Sequence, residues 1–289
     1  MSRLSYNSVS FTCFLGIKFK NYYSSEINDD AIKVTQTNFN KTIQLGDIEA
    51  IDLNKLPQID LLIGGSPCQG FSIAGKKLNF EDSRSKLFFE YVRILEELRK
   101  LNPNIKFLLE NVRMPDDIAD EIDRILGVKR TYLDSRHFSG MIRKRYYWTN
   151  IPIAKYSINV GFTIEDIIDK TVPFDKDMDF FFDRCPYAPT TSSDGIITIN
   201  PKTNEGKQTW QRGRVYDVKG AMPTICASLF DLNITSDHKT YRKLTIEECE
   251  KAQGVPKEYT NSVTKNKAGE MLGNGWNVPT IKHIFRGLI

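Results

Sequence analysis

Cysteine and histidine are scarce in this 289-residue chain, and neither is arranged as a ligand set. The five cysteines, Cys13, Cys68, Cys185, Cys226 and Cys249, are odd in number and never spaced Cys-x-x-Cys. This argues against both a disulfide framework and a structural zinc site. The three histidines, His137, His238 and His283, are dispersed, so no metal centre is expected. No apolar run approaches the roughly 18 residues of a membrane span. No basic segment leads into an apolar N-terminal stretch, so an intracellular, cytoplasmic setting is the expectation. Repeats and low-complexity tracts are also missing. Charge of one sign is only slightly in excess, and a net +4 suits a polyanionic partner without deciding for one.

What is present is an alternation of short β-rich runs with helical patterns, the signature of an α/β fold whose parallel sheet is covered by helices. Asn21–Glu26 reads as a strand and Asp29–Asn38 as a helix. Asp60–Gly65 (DLLIGG) is a continuous apolar run, as a strand buried on both faces requires. Leu87, Phe88, Tyr91, Leu95 and Leu98 recur at helical spacing, which predicts a helix over Ser85–Leu101. Ile105–Val112 is a second buried strand, Asp116–Leu126 a helix stopped by Gly127, and Arg145–Thr149 a further strand. A chain of this length accommodates one large core plus a smaller lobe. The α/β pattern runs over residues 1–155, and residues 156–245, broken by Pro173, Pro186, Pro189, Pro201 and Pro223, form a small irregular lobe. Residues 246–289 carry a helix over Thr245–Gln253, the stretch GNGWNVP and a final helix, and are expected to return to the first domain.

Three polar clusters stand out. GGSPCQGFS follows the first buried strand, at the carboxyl edge where open α/β sheets bind ligands. Cys68 there is either a small buried hydrophobe or a reactive thiol in a cleft. The second buried strand ends in Glu110 and Asn111. On a parallel sheet Glu110 can face Cys68 and, between apolar walls, hold a raised pKa and donate a proton; its alternative is an ordinary cap or ion pair. In IRKRYYW, alternation puts Arg143 and Arg145 on one strand face and Lys144 on the other. Their paired donors suit a phosphate or a base oxygen, and the same pattern also occurs on plain surface strands.

Taken in order, GGSPCQGFS, FEDSRSKLFFEYVRIL, LLENV, RKRYYWTNIP, RKLTIEECEKAQGVP and MLGNGWNVPT resemble the DNA (cytosine-5)-methyltransferase family of the compact bacterial and phage type. The resemblance runs from about Gly16 to the C-terminus and is weakest over residues 156–240. It implies a Rossmann-like S-adenosylmethionine-dependent fold with a smaller β-rich target-recognition lobe. It also implies methyl transfer from S-adenosyl-L-methionine, released as S-adenosyl-L-homocysteine, to cytosine in double-stranded DNA, by a chain expected to be a monomer. Carried over residue by residue, Cys68 is the nucleophile, Glu110 the acid at the base, and Arg145 with Arg143 the support of the flipped cytosine. Glu26, Ile27, Asp47, Ile48, Pro67, Leu87, Asn274, Gly275 and Trp276 match cofactor positions. Ser72, Lys76 and Arg84 match the DNA-closing loop, and Thr209–Ser228 resembles the recognition segment, with Thr224, Arg212 and Arg214 as DNA contacts.

Two departures qualify the match. The family's Phe-x-Gly-x-Gly turn is absent, since only Gly16 precedes Glu26, and the segment before that acid is short. Each lost backbone hydrogen bond to the cofactor is worth roughly 0.5–1.5 kcal/mol, so weakened cofactor binding and an exposed sheet edge are expected. Met141 stands where the family usually has a polar side chain. The alternative to a working enzyme is therefore a catalytically impaired or non-catalytic DNA-binding descendant of the same family. A thiol-dependent hydrolase is a remote third, because no histidine lies near Cys68 in sequence.

Overall fold

The computed structural model describes residues 19–65, 83–157, 161–228 and 230–289, with the backbone alone for residues 83–85. Two compact units divide the chain. Residues 1–133, 144–155 and 281–289 form the first, and residues 134–143 and 156–280 the second.

In the first unit β1 (Tyr23–Ser24) pairs in parallel with β2 (Ile43–Gln44), and α1 (Asp29–Asn38) connects them. Asn28 starts α1 by accepting from the Ala31 N–H at 3.0 Å, and Asp29 and Asp30 place negative charge at its N-terminus. Next come β3 (Leu61–Gly65), α2 (Ser83–Leu101), β4 (Lys106–Val112), α3 (Asp116–Leu126), β5 (Thr131–Asp134) and β6 (Lys144–Thr149). The strands form one sheet in the order β3-β4-β6-β5. β3 and β4 run parallel, as the sequence predicts, but β6 runs antiparallel to β4, which corrects the expectation of a parallel sheet throughout. The link from β5 to β6, residues 135–143, is shorter than the dozen or more residues a parallel crossover takes. The strand expected over Asn21–Glu26 shrinks to two residues, leaving Glu26 just beyond its end.

The helical spacing read in α2 is realised as a core. Phe88, Tyr91, Leu95 and Leu98 bury one face of the helix in a cluster with Ile48, Leu53, Phe107 and Trp148. The Trp148 indole donates to Asp123 Oδ1 at 2.7 Å, and the same carboxylate accepts from the Arg130 backbone and guanidinium. Removing Asp123 leaves a buried indole N–H without an acceptor, at a cost of about 1–3 kcal/mol. Asp123→Ala is therefore expected to lower the urea midpoint at unchanged denaturant slope; an unaltered midpoint would show that the bond contributes nothing.

The second unit carries β7 (Lys176–Asp177), β8 (Thr190–Thr191), β9 (Ile197–Thr198), β10 (Val215–Asp217), β11 (Asn233–Thr235) and β12 (Thr240–Lys243). Their order is β7-β12-β11-β10-β9-β8, with β10 and β11 parallel and the other neighbours antiparallel. The helices are α4 (Arg136–Ser139), α5 (Asp179–Phe182), α6 (Ile246–Gln253) and α7 (Lys265–Asn274); α8 (Val278–Phe285) begins in the second unit and ends in the first.

Residues 246–280 pack within this unit and residues 281–289 within the first. The reason is a buried ion pair. Glu248 closes a capping box with Thr245 and grips Arg242 of β12 at 2.7 and 2.9 Å, while also accepting from the Asp169 N–H. Breaking such a pair strands a charge, so α6 is held to the sheet. Cys249 lies on the same helix with its thiol against the Phe230 carbonyl, and burial pushes its pKa up. Among the described residues no helix is long and apolar enough to cross a membrane, and no group of His, Cys, Asp and Glu could hold a metal ion.

Candidate active site

In the first unit, the parallel register of β3 and β4 sets Gly65 opposite Glu110. The strand that precedes Cys68 in the chain therefore ends level with the carboxylate. Cys68, Pro67, Ser72 and Lys76 lie outside the described residues, as does Gly16, and so does the side chain of Arg84. Glu110 is opposite Tyr147 of β6, and Arg145 lies two residues along, on the same face. The Arg145 Nε contacts Glu110 Oε1 at 2.8 Å, and its Nη1 donates to the Lys144 carbonyl at 2.9 Å. The carboxylate is thus ion-paired and not walled by apolar groups alone. Both side chains are largely buried, which makes the pair a rigid unit at the strand ends.

Arg143 departs from its expected place. It precedes β6, belongs to the second unit, and shares no strand face with Arg145. Its backbone N–H donates to Asp134 Oδ1, and the preceding Ile142 N–H bonds the Met222 carbonyl. These ties pull the segment out of the strand. The Arg143 guanidinium, in a residue only 3% exposed, donates to the carbonyls of Gly275 at 2.6 Å and Gly273 at 3.3 Å. It therefore holds the turn at Asn274, Gly275 and Trp276, where α7 ends. Gly273 is required there by close approach: a Cβ would lie 2.2 Å from the Cys226 carbonyl carbon. Sequence reasoning picked out Asn274, Gly275 and Trp276 but missed Gly273 and the Arg143 tie. The two glycines of GNGW were the only available signal. Met141 is fully buried and bridges Met222, a packing role in place of a polar one.

The residues expected at the cofactor divide. In the first unit the Glu26 carboxylate is 4% exposed and accepts from the Ile27 and Asn28 N–H groups at 2.8 and 2.9 Å. Beside it Ile27 is 51% exposed, an apolar surface with no core to cover it. Asp47 accepts from the Glu49 N–H and starts a short 3-10 turn. Ile48, in contrast, is buried in the core cluster, and Leu87 is partly buried against the same cluster. Their packing is structural, which the sequence could not separate from a pocket wall.

In the second unit Thr224 donates its hydroxyl to the Ile142 carbonyl, so this side chain fastens the segment around Pro223 to the Arg143 segment. Arg212 is exposed, with one contact at 3.3 Å to the Ser228 carbonyl. Arg214 is committed inside the lobe, donating from Nε to the Thr209 carbonyl at 2.9 Å and lying against the buried Tyr216 hydroxyl.

The fold is that of a known class of methyltransferase. The chain superposes on the crystal structure of a Dnmt2 methyltransferase from S. pombe with a TM-score of 0.69, covering 98% of this chain and 94% of that one at 16% identity. A methyltransferase from Entamoeba histolytica gives 0.65 over 92% and 90% of the two chains, also at 16% identity. Sequence fixes the family. The model of the C-5 cytosine-specific DNA methylases matches residues 10–117 and 141–289, and the chain belongs to that family. It is 32% identical to the type II methyltransferase M1.ScrFI of Lactococcus lactis subsp. cremoris, over 92% of this chain and 71% of that protein. It is 30% identical to the type II methyltransferase M.NgoBI of Neisseria gonorrhoeae, over 91% and 84%. An orphan methyltransferase of Bacillus phage SPR is 43% identical over 34% of this chain and 22% of its own length. The family methylates cytosine in DNA with S-adenosylmethionine as the methyl donor.

Proposed function

We propose that this chain methylates carbon 5 of a cytosine flipped out of duplex DNA, through a covalent adduct with Cys68. The observation that carries this reading is the register of Gly65 with Glu110, together with the Glu110–Arg145 pair. The Cys68 thiolate adds to carbon 6, forming a sulfur–carbon bond, while Glu110, having taken up a proton from solvent as the base binds, passes it to N3. Electron density released to carbon 5 takes up the methyl group as its bond to sulfur breaks. Carbon 5 then gives up its proton to a solvent water acting as base, the double bond reforms, Cys68 leaves as thiolate and N3 returns its proton to Glu110. Arg145 holds Glu110 in place and faces the base oxygen.

S-adenosylmethionine, when bound, supplies a methyl group activated on a sulfonium. A buried Glu26 carboxylate beside an exposed Ile27 fits a ribose with an adenine stacked next to it, and Asp47 fits the adenine amine. Asn274, Gly275 and Trp276 are assigned to the methionine end.

Duplex DNA carrying 5-fluorocytosine tests the covalent step, because fluorine on carbon 5 cannot be lost as a proton and the adduct is trapped. With S-adenosylmethionine present, mass spectrometry is expected to find the nucleotide on the Cys68 peptide. No adduct there, combined with no labelled methyl transfer to ordinary duplex DNA at saturating donor, would overturn the proposal.

A further inference from the structure

The recognition lobe contains a loop that is rigid beneath and exposed at its tip. Asn200, fully buried, donates to the Gly213 carbonyl at 2.7 Å and accepts from the Val215 N–H at 2.9 Å. Asn233, 5% exposed, donates to the carbonyls of Arg212 and Arg214 at 2.9 and 3.1 Å. Thr209 bonds the Asn200 carbonyl at 2.6 Å, and Arg214 bonds back to Thr209. The carbonyls of 212, 213 and 214 are thus each held by a buried amide, an unusual investment for a surface loop.

The tip points the other way. Trp210 is 53% exposed, and Gln211 and Arg212 are exposed beside it. Trp210 rests on Gly213, where a Cβ would meet the indole at 2.9 Å, so the ring orientation is fixed by a glycine. A hollow of about 420 Å³ beside Arg212 is lined also by Ser228, Asn233, Lys243 and the acids Asp231 and Glu270, with Lys243 paired to Asp231.

We infer that Trp210, Gln211 and Arg212 are the base-reading residues of this chain, with Asn200, Asn233 and Arg214 as their supports. This rests on the proposed action on duplex DNA and deepens it. An exposed guanidinium offers paired donors to guanine, an amide pairs with adenine, and an indole gives apolar or stacking contact. Reading requires side chains held at fixed spacing, which the buried amides provide. Arg214, spent on Thr209 and Tyr216, cannot reach a base without breaking the loop.

The test is enrichment of bound sequences from a randomised duplex pool by the full chain, a readout independent of methyl transfer. Wild type is expected to enrich a defined motif. Arg212→Lys, which keeps the charge but loses the paired geometry, is expected to reduce discrimination at one position about tenfold to a hundredfold. Gln211→Ala relaxes another position. An unchanged motif in Arg212→Lys, with only a shallower salt dependence, would mark a phosphate contact and overturn the inference. So would a wild-type chain that enriches nothing. The tip residues are exposed, so these variants fold. Failure of methyl transfer with an intact motif would strike the proposed reaction alone.

Discussion

Cys68→Ala is expected to abolish methyl transfer while leaving duplex binding intact, and Glu110→Gln to lower kcat by about 10²–10⁴-fold. The two belong together because the first variant removes the bond to carbon 6 and the second removes the proton that makes carbon 6 electrophilic. An amide in place of the carboxylate retains the size of the side chain and can still hydrogen-bond a ring nitrogen, so the loss falls on kcat more than on KM for DNA. The pairing with Arg145 sharpens the expectation, since Glu110→Gln also leaves a largely buried guanidinium without its counter-charge at 2.8 Å. Single-turnover transfer to labelled DNA separates the chemical step from binding. Wild-type rates in Cys68→Ala would place the nucleophile elsewhere. Among the described cysteines, Cys185 and Cys249 are buried and poor replacements.

Arg143→Ala is expected to raise the KM for S-adenosylmethionine by at least about a hundredfold, with a much smaller change in the KM for DNA. Its guanidinium makes two charge-assisted bonds, to the Gly273 and Gly275 carbonyls. At roughly 1.5–3 kcal/mol each, their loss spans about two to four decades if the turn at Asn274 relaxes. Both bonds leave Nη2, so Arg143→Lys, with its donors on one nitrogen but a differently placed head group, is expected to recover part of the loss. A thermal melt accompanies the kinetics. Equal losses in both KM values, with a large fall in melting temperature, would mark a purely structural arginine. A residue touching the base would instead lower kcat with the donor KM unchanged.

The two families of prediction differ in how visible their basis was in the sequence. Glu110 was legible: a continuous apolar run ending in a carboxylate fixes a buried strand, and β3 beside β4 fixes which residues end level. Helix α1 was legible to its ends because Asn28 and two aspartates mark its start. The core face of α2 followed from spacing alone. In each case the information is local, carried by periodicity or by a cap within a few residues.

Arg143 shows where local information stops. Alternation placed it with Arg145, but alternation holds only while the chain remains in a strand, and with Arg143 and Ile142 bonded to Asp134 and Met222 the strand starts only at Lys144. Those partners lie 9 and 80 residues away in the chain, and no pattern in IRKRYYW encodes them. The same holds for Ile48, whose apolar side chain suits a pocket or a core equally well until it is seen buried in the same cluster as Phe88 and Leu95. It holds again for residues 246–280, claimed for the second unit by a buried Arg242–Glu248 pair.

By itself, the sequence determined the chemistry on offer: one cysteine in a glycine-rich stretch that follows a buried apolar run, an acid at the end of the next run, and an ordered set of motifs shared with cytosine methylases. It also determined the elements that bear them, because hydrophobic period and capping act over a few residues. Only the tertiary structure decided which polar groups are spent. Arg143 and Arg214 are committed to carbonyls, Glu110 to Arg145, and Arg212 remains at the surface. The reason is physical: a buried donor or charge must find a partner wherever the folded chain provides one, and that partner is set by packing between distant segments.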